Sequence, residues 1–242
     1  MEINVNSDQI RIKIEKLRKD SITLIELGNE MFSADGGSLY PFDIFVCSVL
    51  HRSLNLTIGF CDLLDKRNII SAGPLLRLQI DNCLRLYAGF IVRDPHQFAI
   101  DVLGGKQISS LKDKNGKVMK DHYLVEQLSS DSPWIKGVYR ETSGYIHFSE
   151  KHIFNSVRAT NEANTNIEMR IAKEDPNIPD ELYHEVIDAF VYSTELLIKY
   201  IKGWIYTKDN PEEIQSFKSE YIKEFGKEPD SRARYSIKKK NE

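Results

Sequence analysis

Apolar residues recur at helical spacing along most of the chain. Ile10, Ile14, Leu17, Leu24 and Leu27 mark one face of a first helix, which Ser7 or Asp8 can cap and which is expected to run to about Met31. Residues 33–38, with Asp35-Gly36-Gly37, have the composition of a loop. From Pro41 to about Arg67 a polar stripe of Ser48, Arg52, Asn55, Gly59, Asp62 and Lys66 steps by three or four residues, which leaves a wide apolar face around it. Ser71-Ala72-Gly73 predicts a turn, with Pro74 at the first position of a third helix. That helix, residues 74–92, is apolar almost all round and is expected to be the central buried one. Arg77, Asp81 and Arg85, at i, i+4 and i+8, break its apolar surface.

Asp94-Pro95 starts a short helix to about Leu103, closed by Gly104-Gly105. Residues 106–119 read as a surface segment with a turn at Asn115-Gly116, and residues 120–129 as helix. Asp131-Ser132-Pro133 is a strong start for a further helix carrying Trp134, Val138 and Tyr139. From His152 the pattern changes. Residues 153–160 and 167–172 are rich in β-branched side chains, alternate roughly, and flank the polar stretch 161–166; they predict a small antiparallel hairpin over about 152–172. Pro176 and Pro179 close it. Tyr183, Val186, Phe190, Thr194, Leu197, Ile201 and Trp204 mark the buried face of a long helix over about 180–206. A short charged helix from Pro211 to about Phe225 precedes a basic tail, 231–242. With no internal repeat and no linker between two cores, the expected fold class is all-α. It is a single helical domain over 1–242, an antiparallel helical bundle with a small β-hairpin insertion.

Composition narrows the classes. The chain has 242 residues, 41% hydrophobic and 29% charged, enough to bury a core. No charge-free apolar run approaches the ~18 residues of a membrane span, so no membrane partner is expected. The first residues lack a basic segment followed by an apolar one, which predicts no signal peptide. Three cysteines without CxxC spacing argue against a disulfide framework or a zinc site and for a reducing compartment; the expectation is a soluble, cytoplasmic protein. The net charge of −3 means that any nucleic-acid role must rest on a local basic patch. GxSxG, P-loop and GxGxxG signatures are absent from the sequence, and no cofactor or metal is expected.

Candidate chemistry concentrates in Tyr139-Arg140-Glu141-Thr142-Ser143-Gly144-Tyr145-Ile146-His147. Arg140 is a permanent cation that can hold a phosphate by two hydrogen bonds, and His147 can move a proton near neutral pH. Together they suit attack by a ribose 2′-hydroxyl on its own phosphodiester, with His147 as base or acid and Arg140 stabilising the charged transition state. The bland alternative is a solvated Arg140 and a His147 that caps a helix end; with twelve arginines and six histidines, about one such pair is expected by chance. Arg77, Asp81 and Arg85 carry two readings as well. They are either an ion-pair stripe that fixes helix register, or a phosphate site in which Asp81 orients an arginine. Tyr145 lies within the same segment as the Arg–His pair and is a further candidate substrate contact. His147 and His152 are five apart, off the spacing for two metal ligands on one helix. The tail, with Arg232, Arg234, Tyr235 and Lys238 to Lys240, can touch RNA or simply be solvated.

The runs 71–85 (SAGPLLRLQIDNCLR) and 142–149 (TSGYIHFS) resemble uncharacterised bacterial helical proteins that are similar in turn to distant members of the HEPN superfamily, the higher eukaryote and prokaryote nucleotide-binding domains. The resemblance covers about residues 40–150; the hairpin, the helices over 180–225 and the tail lie outside it. It implies an antiparallel helical bundle, frequent homodimers and, in active members, a metal-independent ribonuclease of toxin or anti-phage systems. The superfamily's catalytic motif is an Arg and a His separated by four to six residues, which Arg140 and His147 match at the upper limit. Glu141 departs from the pattern, since active members tend not to carry an acid after the Arg. The expected function is thus a HEPN-like endoribonuclease or RNA-binding protein, with RNA, a second copy of the chain, and an antitoxin or sensor protein as partners. The alternative is a non-catalytic helical interaction or regulatory protein.

Overall fold

The computed structural model describes residues 5–147, 149–159, 167–169, 171, 173 and 178–226. They are predominantly helical, as the apolar periodicity predicts. In chain order the elements are α1 (Val5–Ser33), α2 (Pro41–Asp65), α3 (Ile69–Ile91), α4 (Pro95–Leu103), α5 (Asp121–Ser129), α6 (Trp134–Ile146), α7 (Glu150–Ser156), β1 (Val157–Ala159), β2 (Ile167–Met169), α8 (Asp180–Asp209) and α9 (Pro211–Phe225). The five apolar positions that mark the first helix are all buried, and so are the seven that mark the long helix α8. Ser7 and Asp8, expected to cap the first helix, lie inside α1, but two other helix ends follow their capping chemistry. The Asp94 carboxylate accepts from the backbone N–H groups of His96 and Gln97 with Pro95 behind it, and Gly226 closes α9 at φ 66°.

Two further local expectations are corrected. Ser71-Ala72-Gly73 is not a turn: α3 begins at Ile69 and Pro74 lies inside it. Asn68 is the cap, its side-chain oxygen accepting from Ser71 N–H at 3.0 Å and its carbonyl from Ala72 N–H at 3.1 Å. The Gly-Pro pair imitates a break, but Gly73 is there for packing. A Cβ on it would lie 2.5 Å from the Tyr145 ring. The second correction concerns 153–160, read as the first strand of a hairpin. Residues up to Ser156 are α7, and only Val157–Ala159 is strand. The helix is started by Ser149, whose N–H donates to His152 Nδ1 at 3.2 Å, a reciprocal cap with histidine in the usual place of Glu or Gln. Val157–Ala159 and Ile167–Met169 pair antiparallel, with Arg158 opposite Glu168. Residues 160–166, which include the expected turn 161–166, residues 170 and 172 of the expected second strand, Pro176 and the tail 231–242 lie outside the described residues.

By Cα proximity the chain divides into two compact units. One comprises Met1–Ile25, Leu50–Cys83 and Trp134–Leu196; the other comprises Glu26–Val49, Leu84–Pro133 and Leu197–Glu242. In the first, Phe60 of α2 stacks on Phe190 of α8 with ring centroids 4.1 Å apart, and Ile14, Leu17, Leu76, Ile80 and Tyr183 are buried. A polar chain threads this core. Gln79 donates to Ser53 Oγ (2.7 Å) and Thr194 Oγ1 (3.0 Å), and Asn82 donates to Gln79 Oε1 (3.2 Å). In the second unit Phe42 meets Phe45, Phe90 and Trp204, and the ion pair Asp43–Lys208 is fully buried. By length and composition α2 is apolar enough to cross a membrane, with mean hydropathy 1.4 over 18 residues, although half of that stretch is buried inside the fold.

Candidate functional site

Helix α6 carries the Arg–His pair. Ile135, Thr142 and Tyr145 are its buried positions. The Thr142 hydroxyl donates to the Val138 carbonyl at 2.7 Å, which keeps its polar atom inside the helix's own hydrogen bonding. His147 follows the last residue of α6, yet its N–H donates to the Ser143 carbonyl at 3.3 Å, so the helical turn continues through it. Seven residues span two turns, about 10 Å of rise with a rotation of about 20°. Arg140, Ser143 and His147 therefore lie along one face, where Arg140 and His147 are both exposed.

The Arg140 side chain is 82% exposed and its Nε donates to Glu141 Oε1 at 3.4 Å. A long contact between two solvated groups is weak, so Glu141 dilutes the Arg140 charge without removing it. Tyr145 is only 7% exposed, and its ring sits against Gly73 of α3. It anchors α6 to α3 and presents little surface to a ligand.

The charged ladder of α3 is divided among three neighbours. The Arg77 guanidinium lies over the Tyr139 ring of α6, 3.6 Å from its centroid. Asp81 is bonded by Arg52 of α2 at 2.9 Å, and the same Arg52 nitrogen also donates to Asn82 Oδ1 at 2.8 Å. Arg85 pairs with Asp121 of α5 at 2.7 Å. Arg52, Asp121 and Tyr139 are the residues that sequence reasoning left unconnected to the ladder. Arg52 was visible in the polar stripe of α2 and Tyr139 beside Arg140, but no periodicity links any of the three to α3.

The remaining candidates are structural. His152 uses Nδ1 as an acceptor at the start of α7. Burial pushes the Cys61 thiol up to about 11, and the Cys83 thiol, which donates to the Ser193 carbonyl at 3.1 Å, higher still. Both are protonated near neutral pH and poor nucleophiles. Among the described residues no group of three His, Cys, Asp or Glu side chains is placed to hold a metal ion. Comparison with protein-family models, curated proteins and solved structures finds no match.

Proposed function

We propose that this protein is a HEPN-like, metal-independent endoribonuclease of a bacterial defence or toxin system, acting as a cytoplasmic homodimer. The observation that supports this reading is the shared, solvent-facing side of α6, on which Arg140 and His147 stand two turns apart. The reach of an arginine side chain lets both heads meet one phosphodiester placed over Ser143. His147 would take the proton of the ribose 2′-hydroxyl. The 2′-oxygen would form a bond to phosphorus as the bond to the 5′-oxygen breaks, leaving a 2′,3′-cyclic phosphate. Arg140 would stabilise the charge that grows on the non-bridging oxygens. The leaving 5′-oxygen needs a proton as well, and the His147 of a second copy would supply it in a composite, two-fold site. The same reading places the helices in an antiparallel bundle and makes the basic tail a further RNA contact, with an antitoxin or sensor protein as the regulatory partner.

The test is cleavage of single-stranded RNA by the full chain in the presence of a chelator. His147→Ala is expected to abolish cleavage at unchanged melting temperature, since an exposed side chain is lost. Arg140→Ala is expected to cost about 3–4 kcal/mol of transition-state stabilisation, a hundredfold or more in rate. Wild type and His147→Ala cutting RNA equally would overturn the assignment. The second reading, a non-catalytic interaction protein, is favoured by the contact of Arg140 with Glu141 and by the openness of both side chains. It predicts stable association with a protein partner and no cleavage by any variant.

A further inference from the structure

We infer that the Arg77 guanidinium, held against the Tyr139 ring, is a binding site for one phosphodiester of single-stranded RNA beside Arg140. The inference rests on the reading of α6 above and adds a cation from α3 to it. The first observation is the supply of donors. Asp81 is engaged by Arg52, and Arg85 by Asp121. Arg77 makes no hydrogen bond or ion pair among the described residues; its contact is the ring of Tyr139. Five N–H donors on a half-buried cation are thus unspent.

The second observation is the geometry of the stack. A guanidinium carbon 3.6 Å from a ring centroid lies face to face with the ring, because an edge-on approach would hold the carbon farther away. Face stacking directs every N–H outward in the guanidinium plane, where a phosphate accepts two of them side by side. Tyr139 also fixes the rotamer, so less entropy is lost on binding. The third observation is placement. Tyr139 immediately precedes Arg140, and consecutive helical positions are separated by about 1.5 Å of rise and about 100° of rotation. Arg77 and Arg140 therefore flank the same turn of α6 from two helices of one compact unit. Attack by a 2′-hydroxyl requires it to swing in line with the leaving oxygen, which a stacked duplex resists, so the strand held there is single. In these terms Arg77 is a binding residue and Tyr139 a positioning residue.

The experiment is fluorescence anisotropy of a short labelled single-stranded RNA with the full chain in a chelator, as a function of salt. Arg77→Gln is expected to weaken binding five- to tenfold and to lower the slope of log affinity against log salt by about 0.7, the loss of one phosphate contact. Tyr139→Phe, which keeps the ring, is expected to bind as wild type. Tyr139→Leu is expected to match Arg77→Gln, and the double variant to be no worse than either. Should Tyr139→Leu lower the melting temperature, Arg77→Gln and Tyr139→Phe still decide the matter, since neither disturbs a buried apolar side chain. Arg77→Gln binding as wild type with an unchanged salt slope, while Arg140→Ala weakens binding, overturns the inference and leaves the α6 reading standing. Wild type that neither binds nor cuts RNA overturns both. Adenosine monophosphate binding that depends on Arg77, beside oligonucleotide binding that does not, makes the site one for a free nucleotide and overturns the inference.

Discussion

Lys208→Met tests the ionic centre of the second unit. The Lys208 side chain is 1% exposed and that of Asp43 0%, with Nζ 2.9 Å from Asp43 Oδ2. All three ammonium hydrogens are used, the other two going to the carbonyls of Met31 (2.7 Å) and Ser38 (3.0 Å). The carboxylate is equally provided for. Trp204 Nε1 donates to Oδ1 at 2.6 Å and the Tyr40 N–H to Oδ2 at 2.9 Å. Methionine fills much of the lysine's volume but leaves a buried anion without its counter-charge and two carbonyls without a donor. Breaking such a pair from one side costs about 3–5 kcal/mol. For a chain of this length that lowers Tm by about 6–20 °C, read by circular dichroism. Asp43→Asn alone strands the cation instead. The double variant Lys208→Met/Asp43→Asn carries no buried charge, so it should be about 1–3 kcal/mol more stable than the sum of the single losses predicts. Lys13→Met is the control. Lys13 and Asp188 are closer, at 2.6 Å, but 36% and 43% exposed, and its loss should cost under about 1 kcal/mol. A Tm shift under about 2 °C for Lys208→Met, or strict additivity in the double variant, would refute the argument that burial and not distance sets the value of these pairs.

Glycine substitutions should split by what a methyl group meets. Gly73→Ala is expected to destabilise by about 1–3 kcal/mol through collision with the Tyr145 ring, whereas Gly203→Ala, with nothing within 4 Å, should stabilise α8 by about 0.5–1 kcal/mol; thermal melts of the two variants give the signs. The raised Cys61 thiol gives a pH dependence with a fixed direction. Its unfolded form ionises near pH 9 and its folded form near 11, so between those values the folded state holds more protons and stability falls as pH rises. Chemical denaturation across that window should show a shallower decline in Cys61→Val, and a decline as steep as that of wild type would contradict the assignment. At pH 8 a thiol reagent should label the half-buried Cys47 first, with Cys61 and Cys83 reacting only on unfolding.

Helices were legible wherever burial repeats along one face. Leu17, Leu24 and Leu27 in α1 and Phe190, Leu197 and Ile201 in α8 announce themselves because water is excluded from one side only. Helix starts were legible where one residue type marks them, as with the Asp94 cap and with Pro211 at the first position of α9. The misread points have one cause: a residue type with two uses. Gly73 signals a turn when its φ is free and a close approach when a ring lies on it, and only Tyr145, far along the chain, decides between them. Ile153 and its neighbours favour a strand by shape, yet Ser149 and His152 cap a helix there, and a histidine standing in for Glu gives a poor signal.

The ladder on α3 shows how far a pattern carries toward chemistry. Three charges at i, i+4 and i+8 of an apolar helix identify positions at which burial is costly, and the sequence alone establishes that they need partners. It invites pairing along the helix, because spacing is the one geometry it makes visible. Partners instead come from α2, α5 and α6, since a helical side chain points outward at whichever element packs beside it. Which charge remains available is then a question of supply. Asp81 draws Arg52, and Asp121 draws Arg85. Tyr139 gives Arg77 the face of its ring and no counter-charge. An aromatic neighbour steadies a cation without satisfying its N–H groups, so Arg77 keeps its donors open to an anion, whereas the charge of Arg85 is already paired with Asp121. Charge alone ranks these two arginines equally; only the neighbour separates a structural arginine from one equipped to bind.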